Sequence, residues 1–133
     1  MATYGYRGYI ASRPVRGSTV PQHVQNLVIR DFAQRNGLLF KLSATEYAMA
    51  GSFMMLDAVL AELPQLDGII LYSQFMLPER PERRRAIYDR VLSEGKMLAG
   101  AVENLILRTP ADVRRWEDII LTDRFAAREA PVF

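Results

Sequence analysis

The side chains able to do chemistry in this sequence gather at a few points. Ser12-Arg13 is followed three residues on by Arg16, and His23 is the only histidine in the chain. Gln22 and Gln25 flank that histidine, and Ser43-Ala44-Thr45-Glu46 supplies hydroxyls and a carboxylate. Ser73-Gln74 and Glu103-Asn104 complete the set. Arg13 and Arg16 suit the bidentate binding of a phosphate, sulfate or sugar carboxylate. Histidine is the natural general acid or base at neutral pH, and His23 with Glu46 would divide those two roles. Ser12 is the third candidate for a catalytic role. Gln22, Gln25, Ser43, Thr45, Ser73, Gln74 and Glu103 carry the donors and acceptors that hydroxyl-rich ligands need. Each assignment has a plainer rival: Ser12 as a turn former, His23 as a loop contact, and Glu46 as a helix-start carboxylate three residues after a Ser43 cap.

What would bring these groups together is their placement just after apolar runs. Four such runs read as strands, over residues 8–11, 38–42, 68–72 and 97–102. Between the first two, Val24, Leu27, Val28 and Phe32 recur at helical spacing, with Thr19 as a cap, Pro21 in the first turn and Asn36-Gly37 as the stop. Phe53, Leu56, Val59, Leu60 and Leu63 form a second stripe. Pro81 to Gly95 holds a third helix with Ile87, Val91 and Leu92 inward. There Glu82, Arg83, Arg84 and Arg90 read as part of a solvated, salt-bridged face. A last helix starts at Thr109-Pro110 and runs through Trp116 to about Leu121, ahead of a loose tail over residues 125–133. The alternation predicts a single α/β domain over residues 1–124, a three-layer fold around a four-stranded parallel sheet. Its expected order is 2-1-3-4, flavodoxin-like or resolvase-like, with a C-terminal helix. The polar groups then meet at the carboxyl edge of the sheet, where open α/β sheets bind ligands.

Composition narrows the function classes. Seventeen basic residues against fifteen acidic ones leave a charge of +2, so bulk charge does not imply nucleic acid as a partner. The absence of cysteine excludes thiol chemistry and thiolate metal sites, and a lone histidine makes no zinc site, so no metal or other cofactor is expected. No apolar stretch is long enough for a membrane span, and the N-terminus lacks the run of a signal peptide, which makes the cytoplasm the expected location. Dinucleotide and P-loop fingerprints are missing.

Several strings carry a resemblance. Tyr6-Arg7-Gly8-Tyr9-Ile10-Ala11-Ser12-Arg13-Pro14, Val20 to Asn26, Leu42 to Tyr47, and Tyr72-Ser73-Gln74-Phe75-Met76-Leu77-Pro78 resemble the sporadic carbohydrate cluster protein family over roughly residues 4–107. That resemblance implies a place among proteins of bacterial surface-polysaccharide synthesis. At the level of architecture, a strand ending in Tyr-x-x-Ser, a Gln-rich helix start and a late Glu-Asn before a Thr-Pro helix start resemble the serine recombinase (resolvase) catalytic domain. There Ser12 would stand near the nucleophile. The chain departs from that family in having Gln74 to Pro78 where recombinases place key arginines.

The expectation is therefore a small cytoplasmic protein of surface-carbohydrate biosynthesis. It would be an enzyme acting without a bound cofactor on a sugar, sugar phosphate or sugar nucleotide, by isomerisation, epimerisation or group transfer. A non-catalytic ligand-binding or regulatory subunit is the alternative, and DNA strand transfer the remote one. Trp116 with Ile119, Ile120 and Leu121 offers a contact face for a homo-oligomer, unless that helix packs on its own sheet.

Overall fold

The structure is a computed structural model that describes residues 4–47 and 52–129, with side chains to residue 126. In chain order the elements are β1 (Tyr6–Ala11), α1 (Gln22–Arg35), β2 (Phe40–Glu46), α2 (Met54–Ala61), β3 (Gly68–Leu71), α3 (Pro81–Ser93), β4 (Met97–Gly100), β5 (Leu105–Leu107) and α4 (Pro110–Glu129). The sheet runs β2-β1-β3-β4-β5. Its first four strands are parallel, and β5 pairs antiparallel with β4. The expected order 2-1-3-4 is present, but the sheet is mixed and has five strands. The fifth arises because the chain turns back at once through Ala101–Asn104, where Asn104 takes a positive φ of 55°, a conformation its short side chain tolerates.

Connection handedness explains the layers. The chain steps from β1 to β2 in one direction and from β2 across to β3 in the other, so right-handed crossovers put α1 on one face and α2 and α3 on the opposite one. Both faces of the central strands are apolar, as a covered sheet requires. On the α1 side Ile10, Ile70, Met97 and Ala99 pack with Ile29, Phe32 and Ala33. On the other side Tyr9, Ala11, Ile69, Leu71 and Leu98 pack with Leu56 and Val59 of α2, Tyr88 and Val91 of α3, and Trp116 of α4. Gly68 is required at its position: a Cβ there would stand 2.1 Å from the carbonyl oxygen of Met97.

Several expectations about individual elements change. In α1 the buried line is Gln25, Ile29, Phe32 and Ala33, and Leu27 is exposed. No side chain caps that helix; Pro21, not Thr19, stands at the cap position. β2 begins later than its apolar run and continues through Ser43, Thr45 and Glu46, while Leu39 and Leu42 are exposed on this edge strand. Residues 48–51 of the link that follows lie outside the described residues. α4 continues to Glu129, so much of the segment expected as a loose tail is helical, and residues 130–133 are outside the described part. Trp116 and Ile120, expected on an oligomer face, are buried in the chain's own fold.

Candidate anion-binding cleft

In this strand order the connections part between β1 and β3, and that switch point is where a crevice opens at the carboxyl ends of the strands. A cleft of about 630 Å³ lies there. Its walls are the loop after β1 (Arg13 to Gly17), the segment after β3 (Phe75 to Glu79), Phe53 ahead of α2, and Arg80 and Arg83 at the start of α3. Four arginines and one glutamate face it. Among the described residues Arg13, Arg80 and Arg83 have no carboxylate partner; Arg16 alone is paired, with Asp123 of α4.

Aromatic faces position these cations. The guanidinium of Arg13 lies 4.4 Å and that of Arg83 5.0 Å from the centroid of the Phe53 ring. Arg13 also donates to the Ser52 carbonyl at 2.6 Å and to the Tyr9 hydroxyl at 3.3 Å. Arg16 lies 4.6 Å from the Phe75 centroid. It occupies one of two positive-φ positions (Arg16 53°, Gly17 79°) in a tight turn closed by reciprocal Val15 and Ser18 backbone bonds. That is the pattern of a primed hairpin turn, in which a residue other than glycine, asparagine or aspartate is unusual at the position of Arg16. The first turn of α3 adds the positive end of a helix dipole at the cleft rim. Four arginines against one glutamate in a concave site, three of them without a carboxylate partner among the described residues, favour an anion, with phosphate and carboxylate the best geometric match for arginine.

The structure does not bring the expected acid–base pair together. Glu46 is buried, and its carboxylate is fully engaged: it accepts from the Tyr9 hydroxyl at 2.9 Å and from the backbone N–H groups of Met55 (3.0 and 3.1 Å) and Leu56 (3.2 Å). It is thus a helix-start carboxylate, but for α2 from the end of β2, and Ser43 caps nothing. Burial and the bond to Glu46 raise the Tyr9 phenol well above its ordinary range, which keeps it a donor. His23 is exposed on the first turn of α1, beside exposed Gln22, and neither lines the arginine cleft. Ser12 continues the β1–β2 pairing through its N–H to the Glu46 carbonyl (2.9 Å), with a long hydroxyl contact of 3.4 Å to the same atom.

The ligand-binding candidates separate in the same way. Gln25 is buried and clamps the end of β1: its amide accepts from Ala11 N–H at 3.0 Å and donates to the carbonyls of Ala11 (2.7 Å) and Val20 (2.9 Å). Ser43 donates to Asn26 at 2.6 Å and fills the space above Gly8, while Thr45 is a half-buried strand residue. Ser73, Gln74 and Glu103 do meet. The Glu103 carboxylate accepts from the Ser73 hydroxyl at 2.7 Å and from the Gln74 N–H at 2.8 Å, and only a glycine at position 100 leaves room for it. The Gln74 side chain donates to the Trp116 carbonyl at 3.2 Å, which ties this segment to α4.

Two further arginines, Arg80 and Arg83, escape a residue-by-residue reading because they sit in a run of alternating charges. Arg84 in the same run is buried rather than solvated. It meets Glu117 of α4 through two bonds of 2.9 Å, and Tyr88 donates to the same carboxylate at 2.6 Å. Burial alone would raise the Glu117 carboxyl, but the bonds and charge of Arg84, with the Tyr88 hydroxyl, outweigh it and hold the group below its ordinary range. The third nitrogen of Arg84 donates to the carbonyls of Pro78 (3.2 Å) and Glu79 (2.6 Å), fixing the segment that floors the cleft. The signal in the sequence was the helical spacing Arg84, Ile87, Tyr88, Val91.

No protein-family model matches the sequence, and no curated protein matches it. Among solved structures the chain is similar to the N-terminal catalytic domain of TP901-1 integrase, at 11% identity and a TM-score of 0.60 over 94% of this chain and 99% of that one. That likeness supports the resolvase-like α/β architecture. The sporadic carbohydrate cluster resemblance has no support from these comparisons. Among the described residues no helix is long and apolar enough to cross a membrane, and no cluster of acidic and imidazole side chains has the form of a metal site.

Proposed function

We propose that this protein binds a phosphorylated sugar derivative through the arginine cleft at the β1/β3 switch point, in the cytoplasm, as part of a surface-carbohydrate pathway. The observation that carries the binding is the set of three arginines, Arg13, Arg80 and Arg83, that line one cleft with no carboxylate partner among the described residues. The sugar and the pathway come from the sequence resemblance. Of the two roles considered, ligand binding without acid–base catalysis is the better supported, because Glu46 is occupied as a cap and His23 stands outside the cleft.

Isothermal titration of the full chain with glucose phosphate and inorganic pyrophosphate tests this reading. Binding in the micromolar to millimolar range is expected, with a loss of about tenfold or more for Arg83→Gln, since a charge-assisted contact contributes about 1.5–3 kcal/mol. Absence of binding by the parent chain refutes it.

A second reading is phosphodiester strand transfer with Ser12 as nucleophile. It is favoured by the integrase whose catalytic domain shares the architecture and by the position of Ser12 at the end of β1. Tight binding of duplex DNA with a steep salt dependence would favour it over the sugar-phosphate reading.

A further inference from the structure

A second cleft adjoins the first. It has a volume of about 790 Å³, runs along α4, and shares Arg16 and Phe75 with the arginine cleft, so these two residues form the partition between them. Its lining differs in character. Glu103, Asp118 and Asp123 offer carboxylate acceptors, Arg114 and Arg115 offer donors beside them, and Ile119, Ala111 and Ala126 offer apolar surface, so this cleft mixes both charges where the first is mainly cationic. Glu103 is held in place by Ser73 and Gln74, so its carboxylate is oriented before any ligand arrives.

We propose that one ligand spans both clefts, and that it is a nucleoside-diphosphate sugar. Its diphosphate lies over Arg13, Arg80 and Arg83, and its glycosyl ring enters the α4 cleft, hydroxyls toward the carboxylates and ring C–H groups toward Ile119. This rests on the phosphate-binding reading and extends it. Each cleft has the volume of a small-ligand site, the one along α4 being the more open of the two. A simple anion would fill the cationic cleft alone, whereas an anion joined to a hydroxyl-rich ring also uses the mixed donors, acceptors and apolar surface of the second.

The contact that closes the partition is a weak one. Arg16 and Asp123 form a solvent-exposed ion pair, with 56% and 29% of their side chains accessible, and such pairs contribute little to stability. Arg16 is also held in the left-handed region at φ 53°. When the diphosphate replaces Asp123 as the partner of Arg16, the guanidinium joins the anion site. The released Asp123 carboxylate then faces the ring hydroxyls. One exchange of partners completes both half-sites.

Titration of the full chain with uridine diphosphate glucose and with inorganic pyrophosphate separates the possibilities. The sugar nucleotide is expected to bind at least about tenfold more tightly than pyrophosphate. Thr122→Trp, an exposed substitution on α4 that fills the second cleft, is expected to remove that advantage and leave pyrophosphate affinity unchanged. Asp123→Asn frees Arg16 and is expected to raise pyrophosphate affinity by about threefold, the usual scale of one exposed ion pair. Three results each overturn the two-cleft inference while the phosphate-binding reading stands: equal affinity for the two probes, an advantage that survives Thr122→Trp, or unchanged or lowered pyrophosphate affinity in Asp123→Asn. If neither probe binds the parent chain, both readings fall.

Discussion

Replacing Arg84 by methionine tests how the site is held. The side chain is about 1% exposed, and its guanidinium makes four bonds: two to Glu117 and one each to the carbonyls of Pro78 and Glu79. Methionine fills much of the volume but leaves the Glu117 carboxylate buried without a cation. Breaking one side of a buried pair costs about 3–5 kcal/mol, mostly for the stranded charge. In a domain near this size that corresponds to a fall in Tm of roughly 10–20 °C. Arg84→Met/Glu117→Gln removes the stranded charge while keeping an acceptor for Tyr88, so it is expected to lie about 2 kcal/mol closer to the parent than the single variant. Acidification supplies an independent check. The Glu117 carboxyl is depressed in the folded protein, so its contribution is present above the unfolded value of about 4.3 and is lost as pH falls through the folded value. In Arg84→Met the same carboxyl lacks its cation, so the stability gap between parent and variant is largest near neutrality and narrows below about pH 4. Urea denaturation from neutral pH down to about pH 3 measures both effects. A single variant within about 1 kcal/mol of the parent, or a gap that stays constant through acid, would refute the buried-pair account. Because Arg84 also holds the Pro78 and Glu79 carbonyls, ligand affinity should fall in the single variant even where it is fully folded.

Glu46→Ala is expected to destabilise the fold by about 3–5 kcal/mol, since the Tyr9 hydroxyl and two N–H groups of α2 lose their acceptor, and thermal unfolding measures the loss. His23→Ala should leave both stability and pyrophosphate affinity within about 0.5 kcal/mol of the parent, as expected of an exposed residue outside the cleft; a tenfold loss of affinity would return it to the site. Gly8→Ala places a Cβ 2.2 Å from the Ser43 hydroxyl oxygen, so a loss of about 1–3 kcal/mol is expected, and the double variant with Ser43→Ala should recover part of it in chemical denaturation. Gly68→Ala meets the Met97 backbone as well as the Tyr6 ring, so no single partner substitution relieves it, and a loss above about 3 kcal/mol is the expected reading of the same assay.

Local patterns carried much of the architecture. The apolar runs of β1, β3 and β4 and the stripe Leu56, Val59, Leu63 are where periodicity placed them, and the alternation of strand and helix implied the parallel pairing of the first four strands, whose expected flavodoxin-like order 2-1-3-4 is present within the five-stranded sheet. β5 escaped because three residues, Leu105–Leu107, are too short for a period to register. β2 was misplaced because an edge strand tolerates exposed Leu39 and Leu42 while the strand itself extends into Ser43, Thr45 and Glu46. Polar residues misled in proportion to how well they were satisfied. Gln25 and Glu46 looked like ligand-facing groups, yet each is spent on backbone atoms that no local pattern identifies.

By itself the sequence determined that polar groups follow the strands and that arginines follow the first of them, because both are matters of order along the chain. Tertiary structure decided which of those groups share a cleft. The reversal of crossover direction after β2 separates α1, with Gln22 and His23, from α2 and α3. The crevice consequently opens between β1 and β3, where Arg13 and Arg16 meet Arg80 and Arg83 from a helix almost seventy residues away in the chain. Charge alternation along α3 cannot show which arginine turns inward. That depends on Glu117, thirty-three residues further on, and on the core that excludes water from the pair.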